Sequence, residues 1–173
     1  MREVLIALNQ LVANGVICQY AIGGAVGAAF YIEATQTEDI DAFAVLPLSE
    51  SILTSLSPIY AELTAMGGVV EGAHVRFGDW PLQILTDANP LVAEAIAEAS
   101  AVVYEGVPTR IFRAEHLCAV ALQTGRLKDY LRVGMFLDQN AVSQDVLSAI
   151  LARFGLMDRM NRVVSSETPP DRG

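Results

Sequence analysis

Residues 20–46, YAIGGAVGAAFYIEATQTEDIDAFAVL, contain two short apolar segments separated by a glycine pair and a helix-like stretch. The first segment begins before the quoted stretch, as VICQYAI at residues 16–22; it is rich in β-branched and aromatic residues and stops at Gly23 and Gly24. This pattern predicts a strand that runs into a tight turn. The second segment, DIDAFAVL at residues 39–46, has the alternation of another strand. The stretch therefore predicts a strand, a glycine turn, a helix and a second strand.

The second strand places two aspartates on one face, because side chains alternate along a strand. Asp39 and Asp41 share that face with Phe43 and Val45, and the opposite face carries Ile40, Ala42 and Ala44. Carboxylates whose Cα atoms are about 6.5 to 7 Å apart repel each other unless a cation lies between them. Magnesium suits this position, since it binds carboxylates together with substrate phosphates. A D-x-D pair alone is, however, also typical of a solvated edge strand.

The rest of the chain predicts an α+β (mixed α/β) fold, in which a sheet is flanked by helices. Apolar spacing predicts helices at residues 2–14 and 49–66, and VVEGAHVRF and PLQILT around the turn GDW predict a hairpin. A helix then begins after Asn89, AVVYEGVPTRIF supplies one or two strands, and the chain is helical from Glu115. We expect three regions, namely an α/β core at 1–113, a helical region packed on it at 114–162, and a disordered tail at 163–173.

Composition limits the classes of function. The 173 residues are 53% hydrophobic, but no run reaches the length of about eighteen apolar residues that a membrane span requires. Polar residues interrupt the N-terminal MREVLIALNQLVANG, which disfavours a signal peptide. Cys18 and Cys118 lie in apolar surroundings, which predicts reduced core thiols in a cytoplasmic protein and leaves a disulfide between them open. The net charge of −9 disfavours duplex DNA as a partner but not a local basic site.

Two motifs together resemble those of the nucleotidyltransferase superfamily. The first is a strand ending in Gly-Gly, then a helix, then a strand with Asp-x-Asp; here TEDID, from Thr37 to Asp41, is similar to the T-x-D-I-D stretch of AbiEii-like and related minimal bacterial nucleotidyltransferases. The second is LQTGRLKDYLRV at residues 122–133, which resembles the R-x-K-D helix of the same proteins. For this second motif, a solvated helical face on which Lys128 and Arg132 remain in water is the alternative interpretation.

The resemblance implies a magnesium-dependent (or manganese-dependent) enzyme that moves a nucleoside monophosphate from a nucleoside triphosphate to an acceptor hydroxyl on RNA, protein or a small molecule. It implies that Asp39 and Asp41 are the catalytic and metal-binding residues. The residues expected at the nucleotide are Gly23, Gly24, Thr37, Gln83, Arg126, Lys128 and Asp129. In this family the basic residues approach the phosphates, and the aspartate of the R-x-K-D helix orients a basic side chain or caps the helix.

The chain departs from the family pattern at a third carboxylate, whose expected position falls near Gln83. A glutamine carries no negative charge and is no general base at neutral pH. Asp79 and Asp87 are the candidates to replace it, and Asp87 is the better one because it ends the strand. An expected arginine and an expected lysine are also replaced, by Thr35 and Ala121.

These departures leave further functions open beside the enzyme. One is a degenerate nucleotidyltransferase-like module that binds nucleotide without turnover. Another is a subunit of a toxin–antitoxin-type pair, with an antitoxin-like partner protein. The Ala-rich PLVAEAIAEASA segment permits a homodimer.

Overall fold

A mixed β-sheet with helices on both faces organises the chain. The computed structural model describes residues 1–33, 37, 39–47, 56–86 and 89–167, with side chains described as far as residue 164. The strands in this part are β1 (Gln19–Ile22), β2 (Ile40–Val45), β3 (Val69–Glu71), β4 (His74–Phe77), β5 (Trp80–Thr86), β6 (Ser100–Tyr104) and β7 (Val107–Ile111). The helices are α1 (Arg2–Ala13), α2 (Gly24–Ala28), α3 (Ser57–Ala65), α4 (Pro90–Ala97), α5 (Ala114–Thr124), α6 (Leu127–Asp138), α7 (Gln144–Arg153) and α8 (Met157–Glu167).

The aspartate-bearing strand β2 lies in the middle of this sheet. The strand order is β3-β4-β5-β2-β1-β7-β6. Strand β2 runs antiparallel to β1 and parallel to β5, whereas β3, β4 and β5 form an antiparallel meander. The hairpin predicted around GDW is the β4–β5 pair. The prediction of a mixed α/β fold is confirmed, and β2 is a central strand rather than a solvated edge.

The two faces of β2 are buried in two different layers, as the alternation predicts. Ile40, Ala42 and Ala44 are buried in one hydrophobic cluster with residues of α1 and α3. Phe43 belongs to the other cluster, which contains residues of α4 to α8. Since Asp41 shares the face of Phe43, its carboxylate lies on the side of the sheet that the C-terminal helices cover.

Several element boundaries differ from the sequence predictions. The helix after the glycine turn ends at Ala28. Residues 49–55 of the helix predicted at 49–66 lie outside the described part, and the remainder contains α3. Helix α8 continues to Glu167, so the boundary predicted at residue 163 falls inside a helix, because Val163 is buried against the core. Residues 168–173 lie outside the described part.

The two cysteines are both free, and only Cys118 is a core thiol. Cys18 is exposed, so its prediction as a core residue is wrong; it precedes β1 in a bend before the sheet begins. None of the helices in the described ranges is long and apolar enough to cross a membrane.

Candidate functional site

Pairing of three neighbouring strands sets Asp41, Gln83 and His74 in one row across the sheet. Asp41 is the partner of Gln83 in the β2–β5 register, and Gln83 is the partner of His74 in the β4–β5 register. Beside this row, His74 Nε2 lies 3.8 Å from Asp39 Oδ2. No sequence motif marks His74, because its place beside Asp39 depends on strand pairing.

The glycine turn allows the chain to pass directly beside the aspartate strand. Gly24 has a φ of +57°, and a β-carbon on it would lie 1.9 Å from Asp41 Oδ2. A β-carbon on Gly23 would lie 2.5 Å from the Phe43 ring, and the Gly23 N–H donates to the Asp41 carbonyl at 2.9 Å. The pair therefore serves close packing against β2. Gly23 is not part of either cavity wall described below, whereas Gly24 is part of one.

Helix α6 begins with a reciprocal cap between Arg126 and Asp129. The Arg126 backbone N–H donates to Asp129 Oδ2 at 3.2 Å, and the Arg126 side chain donates to the same carboxylate at 2.7 Å and 3.2 Å. Through these bonds Asp129 both caps the helix and orients a basic side chain, and its own side chain is only 1% exposed. Its bond raises the pKa of Arg126, which therefore stays fully charged.

A cavity of about 610 Å³ lies between the aspartate strand and α6. Asp39, Asp41 and Gln83 form one wall, and the facing wall carries the cations Arg126, Lys128 and Arg132. Thr37 also lines the cavity, and its hydroxyl donates to the Asp39 carbonyl at 3.0 Å. The structure thus brings residues from the TEDID and GRLKD motifs, which are distant in sequence, to one cavity.

Burial and the neighbouring carboxylate of Asp39, in that order, raise the pKa of Asp41. The positive charges of Arg126, Arg132 and Lys128 act in the opposite direction but do not outweigh them. The site therefore holds a buried acid whose charged form lacks sufficient compensation. A bound cation would supply what is missing.

A second cavity of about 450 Å³ adjoins the first. It shares Asp41, Gln83, Arg126 and Arg132 with the first cavity. Its other lining consists of apolar side chains of β2, β5, α4 and α5 together with amide and hydroxyl groups and the Asp129 carboxylate. The first cavity is thus strongly charged, the second combines charged and apolar groups, and the two meet at Asp41.

The donor set fits a magnesium ion that completes its shell with ligand oxygens rather than with protein alone. Two carboxylates, Asp39 and Asp41, face the cavity, and magnesium is usually bound by one or two carboxylates together with phosphate oxygens and water. Among the described residues no group of three or more His, Cys, Asp or Glu side chains is placed to hold a metal. Asp79 therefore does not complete the site; it lines a different cavity with Trp80. Asp87 lies outside the described residues.

Arg132 is the residue of this site that the sequence interpretation did not assign. One alternative left it in water on a helix face, but its side chain is only 13% exposed, so that alternative is wrong for Arg132. Lys128 is exposed, as a helix-face residue would be. Helical periodicity could have suggested the difference, because Arg132 lies three residues after Asp129, on the same side of α6 as that buried carboxylate.

Comparisons with known proteins identify the fold. No protein-family model and no curated protein sequence matches the chain. Among solved structures, it is similar to an antigenic nucleotidyltransferase-like protein from Paracoccidioides brasiliensis, with a TM-score of 0.57 and 15% identity over 87% of this chain and 84% of that one. Two structures of ANT(2'')-Ia also match. The first is a solution structure of this antibiotic-resistance factor, with a TM-score of 0.48 and 18% identity over 93% of this chain and 97% of that one. The second is a complex with adenylyl-2''-tobramycin, with a TM-score of 0.47 and 18% identity over 88% and 96%. The chain thus has a nucleotidyltransferase-like fold.

Proposed function

We propose that this protein is a nucleotidyltransferase that uses a nucleoside triphosphate and a divalent metal, magnesium or manganese. In the proposed reaction an acceptor hydroxyl oxygen forms a bond to the α-phosphorus, the bond from that phosphorus to the bridging oxygen of the β-phosphate breaks, and pyrophosphate leaves. The hydroxyl proton is released to water. One nucleotide and one acceptor thus give one nucleotidylated acceptor and pyrophosphate.

The observation that carries this proposal is the cavity with two carboxylates on one wall and three cations on the other, in a nucleotidyltransferase-like fold. Asp39 and Asp41 would hold the metal, which when bound would offset the negative charge of the triphosphate. The cationic wall on α6 would attract and orient the triphosphate. A cavity of about 610 Å³ is within the range of small-molecule sites.

The first experiment measures binding and transfer in sequence. Calorimetry with each of the four nucleoside triphosphates, with and without magnesium, should give metal-dependent binding to the intact protein. A transfer assay with an α-labelled nucleotide should then show incorporation of label and release of pyrophosphate. The Asp41→Asn variant should lose both signals, and the Asp145→Asn variant, which changes an exposed acid on α7, should keep them. Wild-type protein that binds no triphosphate would contradict the proposal.

A second candidate function is nucleotide binding without turnover. Gln83 favours it, because this residue is the direct β-sheet partner of Asp41, next to which a third carboxylate would have to lie. A glutamine cannot take a proton from the acceptor at neutral pH. Metal-dependent binding without any pyrophosphate release, at every acceptor tried, would favour this candidate over the enzyme.

The relationship to AbiEii-like bacterial proteins and an antitoxin-like partner are also proposals, supported by the TEDID and GRLKD motifs alone. A cytoplasmic location is supported by the two free thiols. Expression together with the products of adjacent genes, followed by co-purification and size measurement, tests the partner and separates it from a homodimer. A chain that elutes as a monomer with no co-purifying protein would contradict both.

A further inference from the structure

Arg132 is a largely buried cation that the fold itself does not use fully. Its Nη1 lies 3.5 Å from Asp129 Oδ1, and its Nε is buried and has no hydrogen-bond partner among the described residues. A buried N–H donor without a partner is destabilising, and nearly all such groups in folded proteins are paired. The position of Arg132 therefore requires an explanation beyond packing.

The need to neutralise the charge of Asp129 does not explain the buried position of Arg132. The Asp129 carboxylate already accepts from the Arg126 backbone N–H and from two nitrogens of the Arg126 side chain. Those contacts, at 2.7 to 3.2 Å, are all shorter than the contact from Arg132. The Asp129 carboxylate is thus already neutralised by Arg126, and its contact with Arg132 only orients that side chain. Because Arg132 Nη1 lies at the carboxylate, the opposite edge of the guanidinium, which carries Nε–H and Nη2, faces away from Asp129.

The position of Arg132 in the site suggests what the edge of its guanidinium that carries Nε–H binds. Arg132 lines both the charged cavity and the second cavity, which also has apolar side chains in its lining, and it does so beside Asp41. A ligand that has charged groups in one cavity and a neutral organic part in the other must pass this point. The other arginine that lines both cavities, Arg126, is 59% exposed and has its Nε and one terminal nitrogen engaged by Asp129.

We propose that Arg132 is a phosphate-binding residue of this site, which holds a phosphate of the nucleotide through two parallel bonds from Nε–H and the terminal nitrogen of the same edge. The inference rests on the proposed function. Guanidinium groups bind phosphate in this two-bond manner, whereas an ammonium acts as a single point charge. Arg132 then positions the phosphate beside the Asp41 carboxylate, and Arg126 and Lys128 supply charge nearer the opening.

The test uses a non-hydrolysable nucleoside triphosphate analogue with magnesium, measured by calorimetry on the intact chain. Arg132→Lys keeps the charge but removes the two-bond edge and should weaken binding about tenfold or more, as the loss of one charge-assisted bond implies. Arg132→Ala should weaken it further, and added guanidinium ion should restore part of the affinity of this variant alone. Arg2→Lys, an exposed arginine on α1, is the matched control.

The outcomes are distinct. An Arg132→Lys protein that binds the analogue as tightly as wild type overturns the role of Arg132 and leaves the proposed function intact. Arg132→Ala that unfolds at a lower temperature than wild type, binds weakly and is not rescued by guanidinium also overturns it, since a merely structural loss would behave in that way. Wild-type protein that binds no analogue overturns the proposed function itself.

Discussion

Gly24 lies directly against the Asp41 carboxylate, because a β-carbon at residue 24 would come within 1.9 Å of Asp41 Oδ2. Gly24→Ala must therefore displace that carboxylate, and we expect metal-dependent nucleotide binding to be lost. The φ of +57° adds strain of about 1–2 kcal/mol for any residue with a side chain. Binding by calorimetry and unfolding by urea measure the two effects separately.

Gly15→Ala is the control for Gly24→Ala. Gly15 has a similar φ of +71°, but a β-carbon there would meet nothing within 4 Å. The control should therefore lose stability and keep nucleotide affinity. Equal affinity in both variants would show that the contact with Asp41 is unimportant for the site.

Asp41→Asn should stabilise the metal-free protein at neutral pH although it removes activity. Burial and Asp39 raise the pKa of Asp41, so the stability that its neutral form provides is complete below the ordinary pKa of 3.8 and is lost as pH rises through the higher folded-state pKa. Asparagine stays neutral throughout, so the gain should be present at pH 7 and vanish below pH about 3.8. Urea unfolding as a function of pH measures it.

With magnesium present, the wild-type protein should become more stable than the Asp41→Asn variant, the reverse of the order expected without metal. The metal binds the folded wild-type protein and so raises its midpoint of unfolding, whereas the Asp41→Asn variant should respond little. Asp145→Asn serves again as the control and should respond as wild type does. An Asp41→Asn protein that is less stable than wild type at pH 7 without metal would contradict the electrostatic interpretation of this site.

Gln83→Glu should strengthen metal binding, because it adds a carboxylate directly beside Asp41 in the β2–β5 register. We expect the manganese concentration for half-maximal nucleotide binding to fall about tenfold, the effect of roughly 1.4 kcal/mol. Without metal the same variant should be less stable at neutral pH, because it adds a like charge to an acidic site. Gln144→Glu, an exposed change on α7, should alter neither quantity.

Glu94 links the helical third of the chain to the core through a buried contact. It accepts from His116 Nε2 at 3.0 Å and from Arg153, and His116 is fully buried. Glu94→Ala should reduce the free energy of unfolding by about 1–3 kcal/mol, because a buried polar group loses its partner. Glu98→Ala removes an exposed ion pair with Arg113 and should cost less than about 1 kcal/mol. If urea unfolding gave the same loss of free energy for Glu94→Ala and Glu98→Ala, the role of Glu94 in joining the helices to the core would be contradicted.

Local patterns predicted the elements of this site better than their assembly. The alternation in DIDAFAVL correctly predicted which residues of β2 share a face. The helix predicted to begin after Asn89 does begin there, where the Val92 N–H donates to the Asn89 side chain. In both cases the decisive contacts are short-range in sequence. Such contacts leave a periodic or positional signal that can be read directly.

Long-range pairing accounts for what the sequence did not reveal. His74 lies beside Asp39 only because β4 and β2 both flank β5, and Arg132 is buried only because α6 packs over the site. Cys18 has apolar neighbours in sequence but lies in an exposed bend. In each case the environment is set by another segment of the chain, which no local pattern encodes.

The pairing of β1 with β7 and of β2 with β5 also has a consequence for how the protein is made. Parallel neighbours so distant along the chain must close large loops before their contacts form, which is slow. The aspartates leave the ribosome first, Gln83 follows, and α6 at Leu127–Asp138 comes last of the three. A nascent chain should therefore lack nucleotide affinity until α6 has emerged, and ligand binding then reports that the site has assembled.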